Sequence, residues 1–114
     1  MQITGYGFGH IEVDRRPYST DVIITPEGVR DGWWRREGHL LQVVDLGELL
    51  EERPEVLFVG TGYFGRLRVP EATRAQLVAH GIELREYRTS DAVAAFNRLQ
   101  RDQARVVAAL HLSC

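Results

Sequence analysis

Residues 55–114 read EVLFVGTGYFGRLRVPEATRAQLVAHGIELREYRTSDAVAAFNRLQRDQARVVAALHLSC, and this stretch decides the fold. Val56-Leu57-Phe58-Val59 is a short continuous apolar run, the pattern of a parallel strand buried on both faces, and it predicts a strand over 55–60. Pro70 stands where a helix begins, and Glu71 follows in the first turn, where its charge suits the helix dipole. The helix is expected over 71–80 with Ala75, Val78 and Ala79 inward, ended by Gly81 in the left-handed conformation. Ile82, Leu84 and Tyr87 predict a strand over 82–87. Thr89 or Ser90 caps a helix over 90–102 whose core face is Val93, Phe96 and Leu99 with Ala92 and Ala95. Val106 to Leu110 is unbroken apolar sequence and predicts a central strand over 105–111. Strands that alternate with helices pair in parallel through right-handed crossovers.

Upstream, the first 44 residues read as β-structure broken by turns. Ile3, Tyr6 and Phe8 are separated by Gly5, Gly7 and Gly9, and Ile11 and Val13 alternate with polar neighbours, the period of a half-buried strand. Arg15-Arg16-Pro17 is expected to turn, Tyr18 to Thr25 to form a strand closed by Pro26-Glu27-Gly28, and Val29 to Arg36 a further strand. Asp45 is placed to cap a helix over 45–52, with Leu46, Leu49 and Leu50 on one face and Pro54 ending it. The β-rich N-terminal half must add antiparallel strands to the sheet or form a second small layer. The fold class is α/β in three layers: a mixed central sheet, a β-α-β-α-β C-terminal half and a β-rich N-terminal half, in a single domain over 1–114.

A chain of 114 residues with 44% hydrophobic and 26% charged residues suits one soluble domain with its own core. The net charge of −2 supplies no basic field, so no nucleic-acid partner is expected. No apolar run reaches the length of a bilayer span, so no membrane partner is expected. The single Cys114 excludes an internal disulfide framework, and the N-terminal residues lack a secretory pattern; both predict a cytoplasmic location. All 14 basic residues are arginine, a uniform choice that marks no site.

Gly60, Gly62 and Gly65 have the spacing of a dinucleotide-binding loop. Pro70 forbids a helix running straight on from Gly65, so that reading fails on its context and the glycines serve a tight turn. If the three strands are parallel, their C-terminal ends share one edge, where open α/β sheets take ligands and helix N-termini favour anions. A candidate small-anion site is therefore placed at that edge from Gly60, Thr61, Gly62, Arg66, Arg88, Thr89, Asn97 and His111, with Arg68 as an alternative donor. His111 also has the chemistry of a general base. Ser113 and Cys114 lie close to it in sequence, but an adjacent α-carboxylate would raise the thiol pKa, which disfavours thiol catalysis. No catalytic residue is assigned. His10, His39 and His80 show no ligand spacing, so no metal and no cofactor are expected. Of Trp33 and Trp34, one is expected in the core and one at the surface, marking a protein interface and a possible homodimer. Asn97 is expected to bridge its helix to a loop near Arg105.

The run of GTG at Gly60–Gly62, LRVP at Leu67–Pro70, HGI at His80–Ile82, Thr89, FNRL at Phe96–Leu99, Arg105-Val106 and LHLSC at Leu110–Cys114 resembles the MTH-type domain family of uncharacterised proteins. That family includes the adipogenesis-associated domain protein and, more distantly, the mitochondrial complex I assembly factor. Ser113 stands where relatives often have threonine, and keeps the hydroxyl. The resemblance implies a three-layer α/β fold and no established activity. The expected function is a small non-catalytic binding or accessory protein whose protein partner is unknown. The alternative is a protein or enzyme that binds a small anion or metabolite at the Gly60–Gly62, Thr89 and His111 edge.

Overall fold

The computed structural model describes residues 1–101 and 105–114. Among the described residues, eight strands form two sheets. β1 (Ile3–Gly7), β2 (His10–Val13) and β3 (Arg16–Tyr18) make a small antiparallel sheet. β4 (Val22–Thr25), β5 (Gly28–Arg30), β6 (Val56–Thr61), β7 (Glu83–Tyr87) and β8 (Val106–His111) make the main sheet in the order β5-β4-β8-β6-β7. β6 pairs in parallel with both β7 and β8, while β4 runs antiparallel to β8. The main sheet is therefore mixed, as its alternating pattern predicts. The N-terminal half supplies both of the expected additions, two antiparallel strands and a separate small sheet.

Helices and the small sheet cover the two faces. α1 is Leu49–Glu52, α2 is Glu71–Ala79 and α3 is Thr89–Leu99. One face buries Val22, Val56, Phe58, Val106, Ala108 and Leu110 against Phe96 of α3 and Ile3, Ile11 and Val13 of the small sheet. The opposite face buries Leu57, Val59, Val107 and Ala109 against Leu49 and Leu50 of α1 and Leu77 of α2. All six residues of β6 and of β8 are buried, as a strand between two covered faces must be.

Several local expectations are corrected. The 45–52 helix is two pieces, a 3-10 turn at Val43–Leu46 and α1, because Gly47 interrupts them at φ 57°. Asp45 caps no α-helix; its carboxylate accepts the amides of Arg36 and Gln42. The turn after β2 is Asp14-Arg15, both at positive φ, and Arg16 and Pro17 belong to β3. Pro17 fits there because β3 is an edge strand, where a missing N–H costs nothing. The expected strand over 18–25 is broken between Tyr18 and Val22, and the one over 29–36 ends at Arg30. α2 buries Thr73 and Leu77, whereas Ala75, Val78 and Ala79, the expected inward face, are all exposed. α3 begins one residue early and ends at Leu99; residue 102, its expected end, lies outside the described residues.

Candidate functional site

The C-terminal ends of β6, β7 and β8 meet at one edge, and the chain entering antiparallel β4 arrives at the same edge. Close approach of backbones shapes it. A Cβ on Gly60 would stand 2.8 Å from Thr89 Oγ1, and one on Gly62, at φ 109°, would stand 2.5 Å from the Ser113 carbonyl. Both positions thus require glycine to let the chain pass, whatever else they do. After Gly65 the chain stays extended to Pro70, and α2 starts only at Glu71, so no helix follows the glycine loop directly.

Thr89 is fully buried and uses its hydroxyl twice. It accepts the Gly62 amide at 2.8 Å and donates to the His111 carbonyl at 2.6 Å. The Thr61 hydroxyl donates to the Tyr87 carbonyl at 3.0 Å. Arg88 donates to the Tyr63 carbonyl at 2.6 Å, and the Arg66 amide donates to the Cys114 carbonyl at 3.2 Å. Gly60, Thr61, Gly62, Thr89 and His111 therefore come together at this edge, with Arg88 beside them. Asn97 does not join them. Its side chain takes the Ile3 amide at 2.9 Å and gives to the Ile3 carbonyl at 2.8 Å, tying α3 to β1 rather than to Arg105.

Two residues that pattern reading passes over complete the edge. Asp21, just ahead of β4, receives the Leu112 amide on Oδ1 at 2.8 Å. Its Oδ2 lies 2.8 Å from His111 Nδ1 and 2.9 Å from an Arg35 guanidinium nitrogen. The 3.0 Å between Arg35 and His111 Nδ1 is the separation of two donors that converge on one oxygen. That network assigns the proton to Nδ1. Burial alone would raise the Asp21 carboxyl, but hydrogen bonds from His111, the Leu112 amide and Arg35 outweigh it and hold it below the ordinary value. His111 Nε2 and one terminal nitrogen of Arg35 are buried without a partner among the described residues. An Asp-held imidazole with a free Nε2 is chemically a base. No hydroxyl or thiol is within hydrogen-bond reach of that nitrogen among the described residues, so no nucleophile pair is built. Nor do the described residues gather three or more His, Cys, Asp or Glu groups able to hold a metal ion.

Beside this edge the loops carry exposed rings. Phe8, from the β1–β2 turn, packs against Tyr63 and Phe64, from the loop after β6, with centroids 5.5 and 5.9 Å apart. The turn is pinned there by the Gly9 amide and the Tyr6 hydroxyl, which both donate to the Leu112 carbonyl. Trp33 is half-buried, with its indole N–H on the Asp45 carbonyl, and Trp34 is exposed, although neither lies in a strand.

The family model described as a protein of unknown function (DUF498/DUF598) matches residues 3–111. The chain belongs to this family. Solved structures agree with its fold. A Bartonella henselae protein described as an outer membrane protein superposes with a TM-score of 0.82 at 29% identity, covering 98% of this chain and 94% of that one. A conserved hypothetical protein of Pyrococcus horikoshii gives 0.78 at 25% identity over 100% of both chains. A Bordetella pertussis protein described as a Mth938-like domain gives 0.69 at 28% identity over 97% of this chain and 85% of its own. That last description meets the MTH-type resemblance of the C-terminal motifs. Among the described residues of this family member, no helix is long and apolar enough to cross a membrane.

Proposed function

We propose that this member of the DUF498/DUF598 family is a non-catalytic binding or accessory protein that works through contact with a partner protein. The observation that carries the reading is the aromatic patch of Phe8, Tyr63 and Phe64. Phe8 is 52% and Phe64 56% exposed, yet the two are drawn from loops far apart in sequence and packed together. Exposed apolar surface costs about 25 cal/mol for each Å² left in water, and clustered aromatic rings characterise the energetic centres of protein interfaces. The kinship with assembly factors implied by the C-terminal motifs points the same way. Exposed Trp34 is a second apolar element and fits a two-fold contact between copies.

The test compares the wild-type chain with a Phe8→Ser/Phe64→Ser variant as bait in native lysate. A protein captured by the first and lost by the second, at equal melting temperature, is the expected result. A broad activity screen is its counterweight. Turnover abolished by His111→Ala or Thr61→Ala would transfer the protein to the enzyme class.

A second reading keeps a small anion at the sheet edge. It is supported by the Ser90 amide, which has no intrahelical acceptor in the first turn of α3, and by Arg88 beside it, both lining a hollow of about 480 Å³ with Tyr6, Tyr63 and Asp91. Phosphate or sulfate that raises the melting temperature of wild type but not of Arg88→Ala would support it.

A further inference from the structure

A different hollow lies on the other side of the glycine loop. Residues 66–69 run extended, with Leu67 and Val69 buried, so alternation turns Arg66 and Arg68 outward on one side. The Arg68 amide donates to the His39 carbonyl at 2.9 Å, and the Leu41 amide donates to the Arg68 carbonyl at 2.8 Å. This short parallel pairing sets His39 beside the two arginines. Together with Glu37 and Leu40 they line a space of about 300 Å³. Among the described residues no carboxylate lies within ion-pair distance of Arg66 or Arg68. Other arginines among the described residues lack one too, Arg36 and Arg88 among them; what sets Arg66 and Arg68 apart is that both line one hollow with His39.

The buried polar network lies next to this hollow. Arg35 Nε donates to the Gly38 carbonyl at 3.2 Å, in the loop that carries Glu37 and His39. The His39 ring stands 6.1 Å from that of His111. Arg35 and His111 are each more than nine-tenths buried, and each keeps one polar nitrogen without a partner among the described residues. Neither residue lines the hollow, so these nitrogens belong to the buried network behind it and leave the hollow to His39 and the two exposed arginines.

We propose that this hollow binds a phosphate group, free or as the monoester of a small metabolite, held by Arg66, Arg68 and His39. Guanidinium groups match phosphate oxygens in a bidentate way, and two of them on one side of an extended segment present a fork on each. The volume is at the lower end for small-molecule sites, with room for a phosphate and a few further atoms. Glu37 opposes the anion. Its carboxylate lines the same space, so it weakens binding and discriminates against ligands that bring no strong charge.

The experiment is a calorimetric and NMR titration of the whole chain with inorganic phosphate at low ionic strength. Saturable binding is expected in wild type. An Arg66→Ala/Arg68→Ala variant should lose about tenfold or more in affinity, since each arginine supplies charge-assisted hydrogen bonds. Both residues are exposed, so the fold should be unchanged. Glu37→Gln should bind about threefold or more tightly, a gain that a merely structural residue would not give. Arg88→Ala should bind as wild type does. Glycerol phosphate binding more tightly than inorganic phosphate would assign the site to a monoester, and equal binding to free phosphate. No saturation in the millimolar range would overturn the proposal. So would loss of binding in Arg88→Ala with retention in the Arg66→Ala/Arg68→Ala variant, an outcome that moves the anion to the α3 edge.

Discussion

The network around Asp21 and Thr89 and the patch around Phe8 adjoin one another, yet they treat their side chains in opposite ways. Thr89 is fully buried and its hydroxyl is consumed by two backbone groups; Asp21 takes three donors on two oxygens. Phe8, Tyr63 and Phe64 touch mainly one another and turn large areas to solvent. The first group holds strands and loops of distant sequence at one edge. The second adds little to the fold it sits on. The difference teaches that stability and surface recognition are carried here by separate residues, which substitutions can uncouple.

The largest effect is expected at Asp21. Asp21→Ala leaves the Arg35 guanidinium, 5% exposed, without its counter-charge, and breaking a pair of this kind costs about 3–5 kcal/mol. Urea denaturation measures it; a loss below about 1 kcal/mol would show that the edge is not held by this cluster. The same residue predicts a pH dependence. Its carboxyl is lowered on folding, so its contribution is present above the unfolded pKa, near 4, and is lost as pH falls through the folded value. Wild type should therefore weaken in acid more steeply than Asp21→Ala does.

Thr89→Val comes next. It strips partners from the Gly62 amide and the His111 carbonyl at a buried position, for a loss of about 2–3 kcal/mol. Thr89→Ser keeps the hydroxyl and should recover most of it. Equal melting temperatures for the valine and serine variants would erase the contrast with the patch. On the patch itself, Phe8→Ser and Phe64→Ser should each move stability by about 0.5 kcal/mol or less. A larger drop in either would make those rings part of the core. The smallest effect is spectroscopic. Tyr6 bridges the two regions, and burial pushes its phenol above the usual tyrosine value although a contact with Thr89 opposes the shift. In an alkaline absorbance titration Tyr6→Phe should remove a component that ionises above the usual tyrosine value.

Residues whose environment is set by the chain near them were the legible ones. β6 and β8 lie within one residue of expectation because a strand covered on both faces carries a continuous apolar run, the edge strand β7 does so through the spacing of Leu84 and Tyr87, and α3 shows its core face because Ala92, Ala95 and Phe96 recur at helical spacing. α2 misled for the opposite reason. Its inward polar residue is Thr73, whose hydroxyl donates to the Leu41 carbonyl at 2.8 Å, and no local pattern announces that acceptor. Gly60, Gly62, Thr89 and His111 could be placed at one edge because parallel strands end together. Asp21 and Arg35 could not, since their position depends on the antiparallel register of β4 on β8, which leaves no mark in the sequence around either residue. Asn97 was readable as a bridge, but its partner at Ile3 lies 94 residues away.

That separation has a kinetic consequence. The ties between the small sheet and the rest join residues 94 and 106 positions apart, Ile3 with Asn97 and Tyr6 with Leu112, and Asp21 reaches Leu112 across 91. Contacts so distant require a long loop to close before they contribute anything, whereas β6, β7, α3 and β8 can assemble within residues 56–111. The N-terminal strands thus gain their docking partners only once α3 and β8 have formed. On refolding, pulse-labelled amide exchange should show Val56–Thr61 and Val106–His111 protected before Ile3–Gly7; simultaneous protection would mean that the two halves nucleate together.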